Sequence, residues 1–163
     1  MKLRGVTGGV LFAVLAALPA QAQNAALLDA EMAQAVLSGC VAHAEEQGQS
    51  QAVVVVDGGG HVMASLRMDG NGPGVIAFAE EKAYAAATWG FPTSGMEEGA
   101  RSTPGFANAP GVVTVGGGVP IYDSTGRYRL GAIGVSGEPP EDDIACAEAG
   151  IAAAGLQPSR IRQ

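Results

Sequence analysis

The sequence predicts an α+β domain, in which helices pack on an antiparallel sheet. A β-branched run at residues 53–56 is followed by the glycine turn 57–60, and residues 61–68 return as a second strand. Further short strands follow late in the chain, and two of them are also joined by a tight turn at residues 124–126. Strands linked by short turns pair antiparallel, and helical patterns before and after them supply the layers that cover the sheet.

The individual elements follow from periodicity and from glycine and proline punctuation. Helices share apolar or alanine-rich spacing and are predicted at residues 25–47, 75–89, 94–101 and 140–155. Strands share short apolar runs between turn signals and are predicted at residues 53–56, 61–68, 111–115, 119–123 and 128–136. The connection at residues 93–109 is long for a plain loop, which is typical of binding segments.

The N-terminus has the pattern of a secretory signal peptide. Lys2 and Arg4 precede an apolar run at residues 10–18, and a small-x-small site at residues 20–22 predicts cleavage after Ala22. The apolar run is shorter than the ~20 residues that span a bilayer, so we expect no transmembrane segment after cleavage. Residues 23–163 are then a single domain, exported to a periplasm or to the outside.

The charge balance excludes two classes of partner. The 163-residue chain has a formal charge of −7, and removal of Lys2 and Arg4 changes it to −9. The remaining basic residues are spread along the chain and form no cluster. An acidic surface of this kind argues against binding to nucleic acids and to anionic membranes.

Two cysteines, Cys40 and Cys146, lie on the first and last predicted helices. In an exported protein they could form a disulfide worth about 3–5 kcal/mol, or they could be two buried thiols. The last helix also has a stripe of small residues at positions 146, 149, 150 and 153. Such a stripe allows another backbone to approach closely, within the subunit or across an oligomer interface.

The catalytic signatures CxxC, HExxH, GxSxG and GxxxxGK[ST] are absent from the sequence, and only two histidines are present. His43 shares the apolar stripe of the first helix, where it is either a core or interface residue or an axial haem ligand. His61 follows the hairpin turn, where it is either a solvated turn residue or a ligand. Near one cavity, His43 and His61 together would also suit a transition metal.

Arg67 and Asp69 lie at the end of the second strand, and Lys82 lies on the helix that follows. One interpretation is a group of salt bridges that ties the turn to the helix. The other is a cationic pair, Arg67 and Lys82, that receives a carboxylate such as a haem propionate or a small organic acid.

Several segments together resemble one family. They are AVVVVDGGGH with LRMDG, EEKAYAAATWGFPTS, PGVVTVGGGVPI and GAIGVSGEPPEDDIACAEAGIAA. They are similar to the GlcG/HbpS-like haem-binding family, which is related to the C-terminal domain of PduO-type corrinoid adenosyltransferases. The resemblance covers residues 28–155 and implies a profilin-like α/β/α sandwich with a five-stranded antiparallel sheet. It also implies homo-oligomers and, for exported members, haem binding.

The resulting expectation is an exported, homo-oligomeric haem-binding protein. His43 or His61 would be the axial ligand, and Arg67 or Lys82 would meet the propionates. An alternative is an isomerase or lyase that acts on an organic acid, with His61 or Asp69 moving a proton. A third interpretation is an accessory partner without ligand chemistry.

Overall fold

Helices and hairpin-linked strands alternate along the chain in the computed structural model, which describes residues 27–161. The helices are α1 (Ala30–Gln47), α2 (Pro73–Trp89), α3 (Thr93–Ser102) and α4 (Pro140–Ala153), with a short 3-10 helix at Phe106–Asn108. The strands are β1 (Ala52–Asp57), β2 (Val62–Arg67), β3 (Gly118–Tyr122) and β4 (Arg129–Ser136). The signal peptide predicted at residues 1–22 lies outside the described residues. Among the described helices, none is long and apolar enough to cross a membrane.

The four strands form one antiparallel sheet in the order β2-β1-β4-β3. Alternate residues of the two central strands face opposite layers. Val53, Val55, Ile133 and Val135 pack against α1 and α4, whereas Val54 packs under the alanine-rich face of α2. The predicted α+β class and antiparallel sheet are therefore confirmed, with helices on both faces of the sheet.

The predicted fifth strand is wrong: residues 111–115 are not a strand, and the sheet has four strands within residues 27–161. The outer edge of β3, where a fifth strand would pair, is already occupied. The Gly118 N–H donates to Thr93 Oγ1 at 2.9 Å, Pro120 has no N–H to offer, and Tyr122 exchanges backbone hydrogen bonds with Gln157. Residues 111–113 instead run along the outer side of α2.

Helix α1 begins five residues later than the periodicity predicted, at Ala30 rather than at residue 25. Asp29 sets this start, because its carboxylate accepts a hydrogen bond from the Met32 N–H at 2.8 Å. Gly48 ends the helix in the left-handed conformation, at φ 68°. Met32 is exposed, and the buried stripe consists of Ala33, Val36, Leu37, Cys40 and Ala44.

Helices α1 and α4 cross at close range and are covalently joined. Cys40 and Cys146 form a disulfide with their Cα atoms 4.6 Å apart, which answers the question that the sequence left open. The Gly150 Cα lies so close to Val36 that a Cβ atom there would overlap the Val36 carbonyl oxygen. The small residues of α4 therefore permit a helix contact within the subunit.

Because this disulfide spans 106 residues, its closed loop predicts a stabilisation of about 4–5 kcal/mol on chain-entropy grounds. We expect the Cys40→Ala/Cys146→Ala double variant to lose about 2–5 kcal/mol of unfolding free energy in urea titrations. Thiol titration of denatured, unreduced wild-type protein should find no free thiols. Two free thiols per chain would contradict the bridge.

Candidate functional site

A groove of about 510 Å³ lies on the outer side of α2. One wall consists of Ala77, Glu80, Glu81 and Tyr84 from α2, and the other is the backbone and side chains of residues 111–113. Sites for small molecules commonly have volumes of about 300–1,000 Å³, so this groove has the size of a ligand site.

An aromatic cluster fixes the second wall of the groove. Trp89 Nε1 donates to the carbonyl oxygen of Pro110 at 3.2 Å, and the Trp89 ring meets Phe106 edge-on with ring centroids 5.5 Å apart. Gly111 has φ 72°, and a Cβ there would lie 3.3 Å from the Tyr84 ring and 3.6 Å from Trp89 Nε1. The long connection flagged in the sequence is therefore anchored on α2, where it shapes the groove.

The hairpin turn places Gly60, the residue before His61, against Tyr84 of the groove wall. Gly60, at φ 85°, lies so close to Tyr84 that a Cβ there would be 2.5 Å from the ring. Tyr84 therefore contacts the turn on one side and lines the groove on the other. The His61 side chain is 82% exposed, and its Nδ1 is 3.2 Å from Asp57 Oδ1.

Asp57 organises the turn that holds His61. Its Oδ1 accepts hydrogen bonds from the backbone N–H groups of Gly59 and His61 at 2.8 and 2.9 Å. These donors, the His61 N–H first among them, lower the pKa of the Asp57 carboxyl. The charged carboxylate can then accept the Nδ1–H of His61, which leaves Nε2 as the free ring nitrogen.

His43 lies far from this groove. It is half-buried in the last turns of α1, in the layer on the opposite face of the sheet from α2. It is also near the Ala52 end of β1, whereas His61 lies beyond the Asp57 end, and the six residues of β1 span roughly 20 Å. A metal shared by His43 and His61 is therefore not formed within one chain. Residues 27–161 hold no cluster of three or more His, Cys, Asp or Glu side chains suited to a metal.

Lys82 has an internal partner instead of facing a ligand. It is 1% exposed, and its Nζ donates to Asp143 Oδ2 at 2.7 Å and to the carbonyl oxygen of Val135 at 2.9 Å. The ammonium group also lies 4.8 Å from the centre of the Phe78 ring. Any ligand carboxylate at Lys82 would first have to displace Asp143.

Arg67 lies elsewhere, exposed at the end of β2, where its guanidinium donates to the carbonyl oxygen of Asn71. In the described chain it forms no salt bridge with Asp69. The structure therefore brings together neither the predicted cationic pair of Arg67 and Lys82 nor the predicted salt-bridge group. A ligand-binding role for His43, His61, Arg67 or Lys82 stays a prediction.

Asp143 is the residue that sequence reasoning missed. Its Oδ1 accepts the Glu138 N–H at 3.2 Å and, with the Gln51 amide oriented to satisfy both of its neighbours, Gln51 Nε2 at 3.0 Å. Burial raises the pKa of Asp143, while the Lys82 ammonium opposes that rise. Asp143 is one of three acidic residues in the first turn of α4, and no local signal in the sequence indicates a partner 61 residues away.

Gly117 makes room for the buried pair. It has φ 114°, and a Cβ at this position would lie 2.9 Å from both Lys82 Nζ and Asp143 Cβ. A side chain would therefore have to displace the ions themselves. This requirement gives the GGG motif at residues 116–118 its structural role.

A family model described as "Haem degrading protein HbpS-like" matches residues 28–152. The chain is 33% identical over 111 residues to Protein GlcG of Escherichia coli (strain K12), covering 68% of this chain and 81% of GlcG. It is also similar to the crystal structure of HbpS, with 32% identity, a TM-score of 0.72, and coverage of 85% of this chain and 97% of that one.

A second solved structure, the PduOC:Heme complex, has a TM-score of 0.75 at 22% identity and covers 83% of this chain and 100% of the other. At that identity, the likeness supports the fold. The family model and the HbpS similarity define the class: this chain belongs to the HbpS-like family, which includes GlcG. The resemblance inferred from the sequence is thereby confirmed.

The buried ion pair predicts that substitution of Asp143 destabilises the protein far more than the same substitution of its neighbour Asp142. Asp143→Asn should lower the free energy of unfolding by about 3–5 kcal/mol, because it leaves the Lys82 ammonium buried without its countercharge. Asp142→Asn, one residue away on the same helix end and less buried, should change it by no more than about 0.5 kcal/mol. Urea unfolding of both variants measures the difference.

Replacing both partners with apolar residues, Lys82→Met with Asp143→Leu, should recover much of the loss, since no uncompensated charge remains. Equal stabilities for Asp143→Asn and Asp142→Asn would show that the ion pair is not essential to the fold.

Proposed function

We propose that this protein is an exported, homo-oligomeric haem-binding protein, and that the macrocycle occupies the α2 groove with His61 as the axial ligand. Membership of the HbpS-like family supports haem as the ligand. The observation that carries the placement is that Tyr84 contacts both Gly60, the neighbour of His61, and Gly111 in the groove wall at residues 111–113.

His61 suits axial ligation better than His43. A histidine that ligates a metal commonly donates its other ring N–H to a carboxylate, and the Asp57 carboxylate is in place 3.2 Å from Nδ1 of His61. Nε2 is left free at an exposed position beside the groove. His43 is on the opposite face of the sheet and would need a different cavity.

The groove fits the flat faces of haem better than it fits the propionates. Ala77, Tyr84, Val112 and Val113 offer apolar and aromatic contact, which supplies most of the binding energy for such ligands. The charged side chains of the lining, Glu80 and Glu81, would repel propionates. We infer that the propionates point away from these two residues and toward the hairpin end. Bound haem would supply an iron centre, and the protein would supply its orientation and an axial nitrogen.

Two further features support export. The signal-peptide pattern at residues 1–22 directs secretion, and the Cys40–Cys146 disulfide is of a kind that persists in oxidising compartments. A periplasmic or secreted location is consistent with both.

An isomerase or lyase acting on an organic acid has less support. That mechanism needs a cation at the groove to hold the substrate carboxylate, whereas the Lys82 ammonium is paired with Asp143 and the residues that line the groove include no arginine. Turnover of haem itself is a second candidate function, because the matching family is described as haem-degrading. Loss of the Soret band over time in the presence of hydrogen peroxide would detect it.

Hemin titration followed at the Soret band tests the haem proposal. We expect a saturable, shifted band at one haem per subunit or per pair of subunits. His61→Ala should abolish the shift and weaken binding at least tenfold, since it removes the axial nitrogen, while His43→Ala should bind like the wild type. An unsaturable response from the wild type, comparable to nonspecific uptake by serum albumin, would contradict haem binding. Loss of the shift in His43→Ala, with His61→Ala unchanged, would contradict the ligand assignment.

A charge placed in the groove tests the position of the macrocycle. Val113→Asp adds a third carboxylate near Glu80 and Glu81 and removes apolar contact, so we expect at least tenfold weaker hemin binding. Val113→Ile keeps the wall apolar and should bind within about threefold of the wild type. If Val113→Asp is folded by circular dichroism and binds hemin normally, the macrocycle lies elsewhere.

A further inference from the structure

The two edges of the sheet differ in whether their backbone groups are satisfied. The outer edge of β3 is closed by Thr93, by Pro120 and by the pairing of Tyr122 with Gln157. Edge strands that lack such protection are templates for pairing with another strand.

The outer edge of β2 is open. The hydrogen bond from the Met68 N–H to the Gln51 carbonyl oxygen and the β1–β2 register fix the alternation of the ladder, so that Ala64 and Leu66 bond to β1. Ser65 and Arg67 therefore direct their N–H and C=O groups outward, where no strand of the described chain pairs with them. Val62 and Leu66 are also 47% and 40% exposed, so the described chain leaves apolar surface uncovered along this strand.

The chemistry of β2 favours a second copy of the same chain. The protein carries a formal charge of −7, yet the strand Val62–Arg67 contains no acidic residue. It is therefore a surface on which two acidic molecules can meet without repulsion. It also holds no proline and no lysine, the residues that commonly protect an exposed edge.

We propose that two copies pair antiparallel through β2 about a two-fold axis at Ser65, which joins their sheets and places Arg67 of the second copy at the His61 end of the first. The outward-facing residues select this register, because Ser65 then pairs with Ser65 and Arg67 pairs with position 63. The register shift between Val55 and Val56 makes Met63 the extra residue of β2, so Arg67 of the second copy meets the bulged position and the residues around Ser65 form the regular centre of the contact.

A neighbouring register, with the two-fold axis at Ala64, would also pair outward-facing backbone groups with each other. Charge complementarity distinguishes the two registers. With the axis at Ala64, Arg67 would lie opposite His61 of the second copy. With the axis at Ser65, His61 lies opposite Asp69 instead, and the two Arg67 side chains are four residues apart, roughly 13 Å along the strands.

The pairing also completes the proposed haem site, and this part of the inference rests on the proposed function. Met63, Ser65 and Arg67 lie on the same side of the sheet as α2, because Ala64 and Met68 pack against the α1 layer. Helix α2 covers mainly β1, β4 and β3, so the surface of β2 on this side of the sheet is not covered by the helix. In the pair, the α2-side surfaces of the two β2 strands become continuous. The Arg67 guanidinium of the second copy then supplies the positive charge that the groove lacks, and it can bind a propionate.

Disulfide trapping tests the register without haem. Residues that form a hydrogen-bonded antiparallel pair have Cα atoms about 5.5 Å apart, within the range for disulfides, so Ser65→Cys should oxidise to a covalent dimer. Met63→Cys is the matched control on the same face of the strand. Its two copies would be about 13 Å apart and should stay uncrosslinked.

Light scattering gives the second readout. Ser65→Pro removes an N–H that faces outward, a position where proline is tolerated in an edge strand. We expect it to keep the wild-type circular dichroism while its oligomer falls to half the wild-type mass or less, whereas Ser65→Ala should keep the wild-type mass. A wild type that is monomeric at all concentrations, or a Ser65→Pro variant with unchanged mass and no crosslinking at Ser65→Cys, would overturn the pairing.

Haem binding separates the two parts of the proposal. Arg67→Gln should keep the wild-type mass and weaken hemin binding at least threefold. If Ser65→Cys crosslinks but Arg67→Gln binds hemin normally, the composite site is overturned and the pairing stands. If the Ser65→Cys variant crosslinks but the wild type binds no hemin, the proposed function fails while the interface stands.

Discussion

The buried ion pair between Lys82 and Asp143 is the interaction on which the arrangement of the layers depends. Lys82 comes from α2 on one face of the sheet, and Asp143 comes from α4, which packs on the other face. The two meet beside the last residues of β4, where the Val135 carbonyl oxygen takes a further hydrogen bond from the ammonium. Because each charge is nearly inaccessible to water, neither can be lost alone without a large energetic cost. The pair therefore fixes α2, and α2 carries one wall of the groove.

The local elements of this fold are encoded in short stretches of sequence, and they could be predicted. The hairpin turn at Asp57–Gly60, the alanine-rich face of α2 and the proline start of α4 each depend on neighbouring residues alone. The strand expected at residues 111–115 failed for a non-local reason. Its apolar pattern suits a strand, but the edge where it would pair is closed by Thr93 and Gln157 from two other segments and by Pro120 within β3 itself.

The candidate site was predicted in part. The sequence drew attention to both histidines, but it could not separate them, because their places depend on which face of the sheet each element covers. Lys82 looked available because a lysine within a helix is usually solvated, and only the fold brings Asp143 to it. Arg67 was found by its charge, yet its place on the open edge of the sheet follows from strand order, which the sequence does not state. The groove itself depends on Tyr84 and residues 111–113, which come together through the aromatic cluster around Trp89.

The central proposal is that haem lies against the outer side of α2 with His61 as its ligand. A crystal structure of the hemin-loaded protein tests it most directly. We expect iron bonded to Nε2 of His61, with the porphyrin between α2 and residues 111–113. Iron bonded to His43 on the opposite face of the sheet, or a porphyrin seated away from this groove, would contradict it.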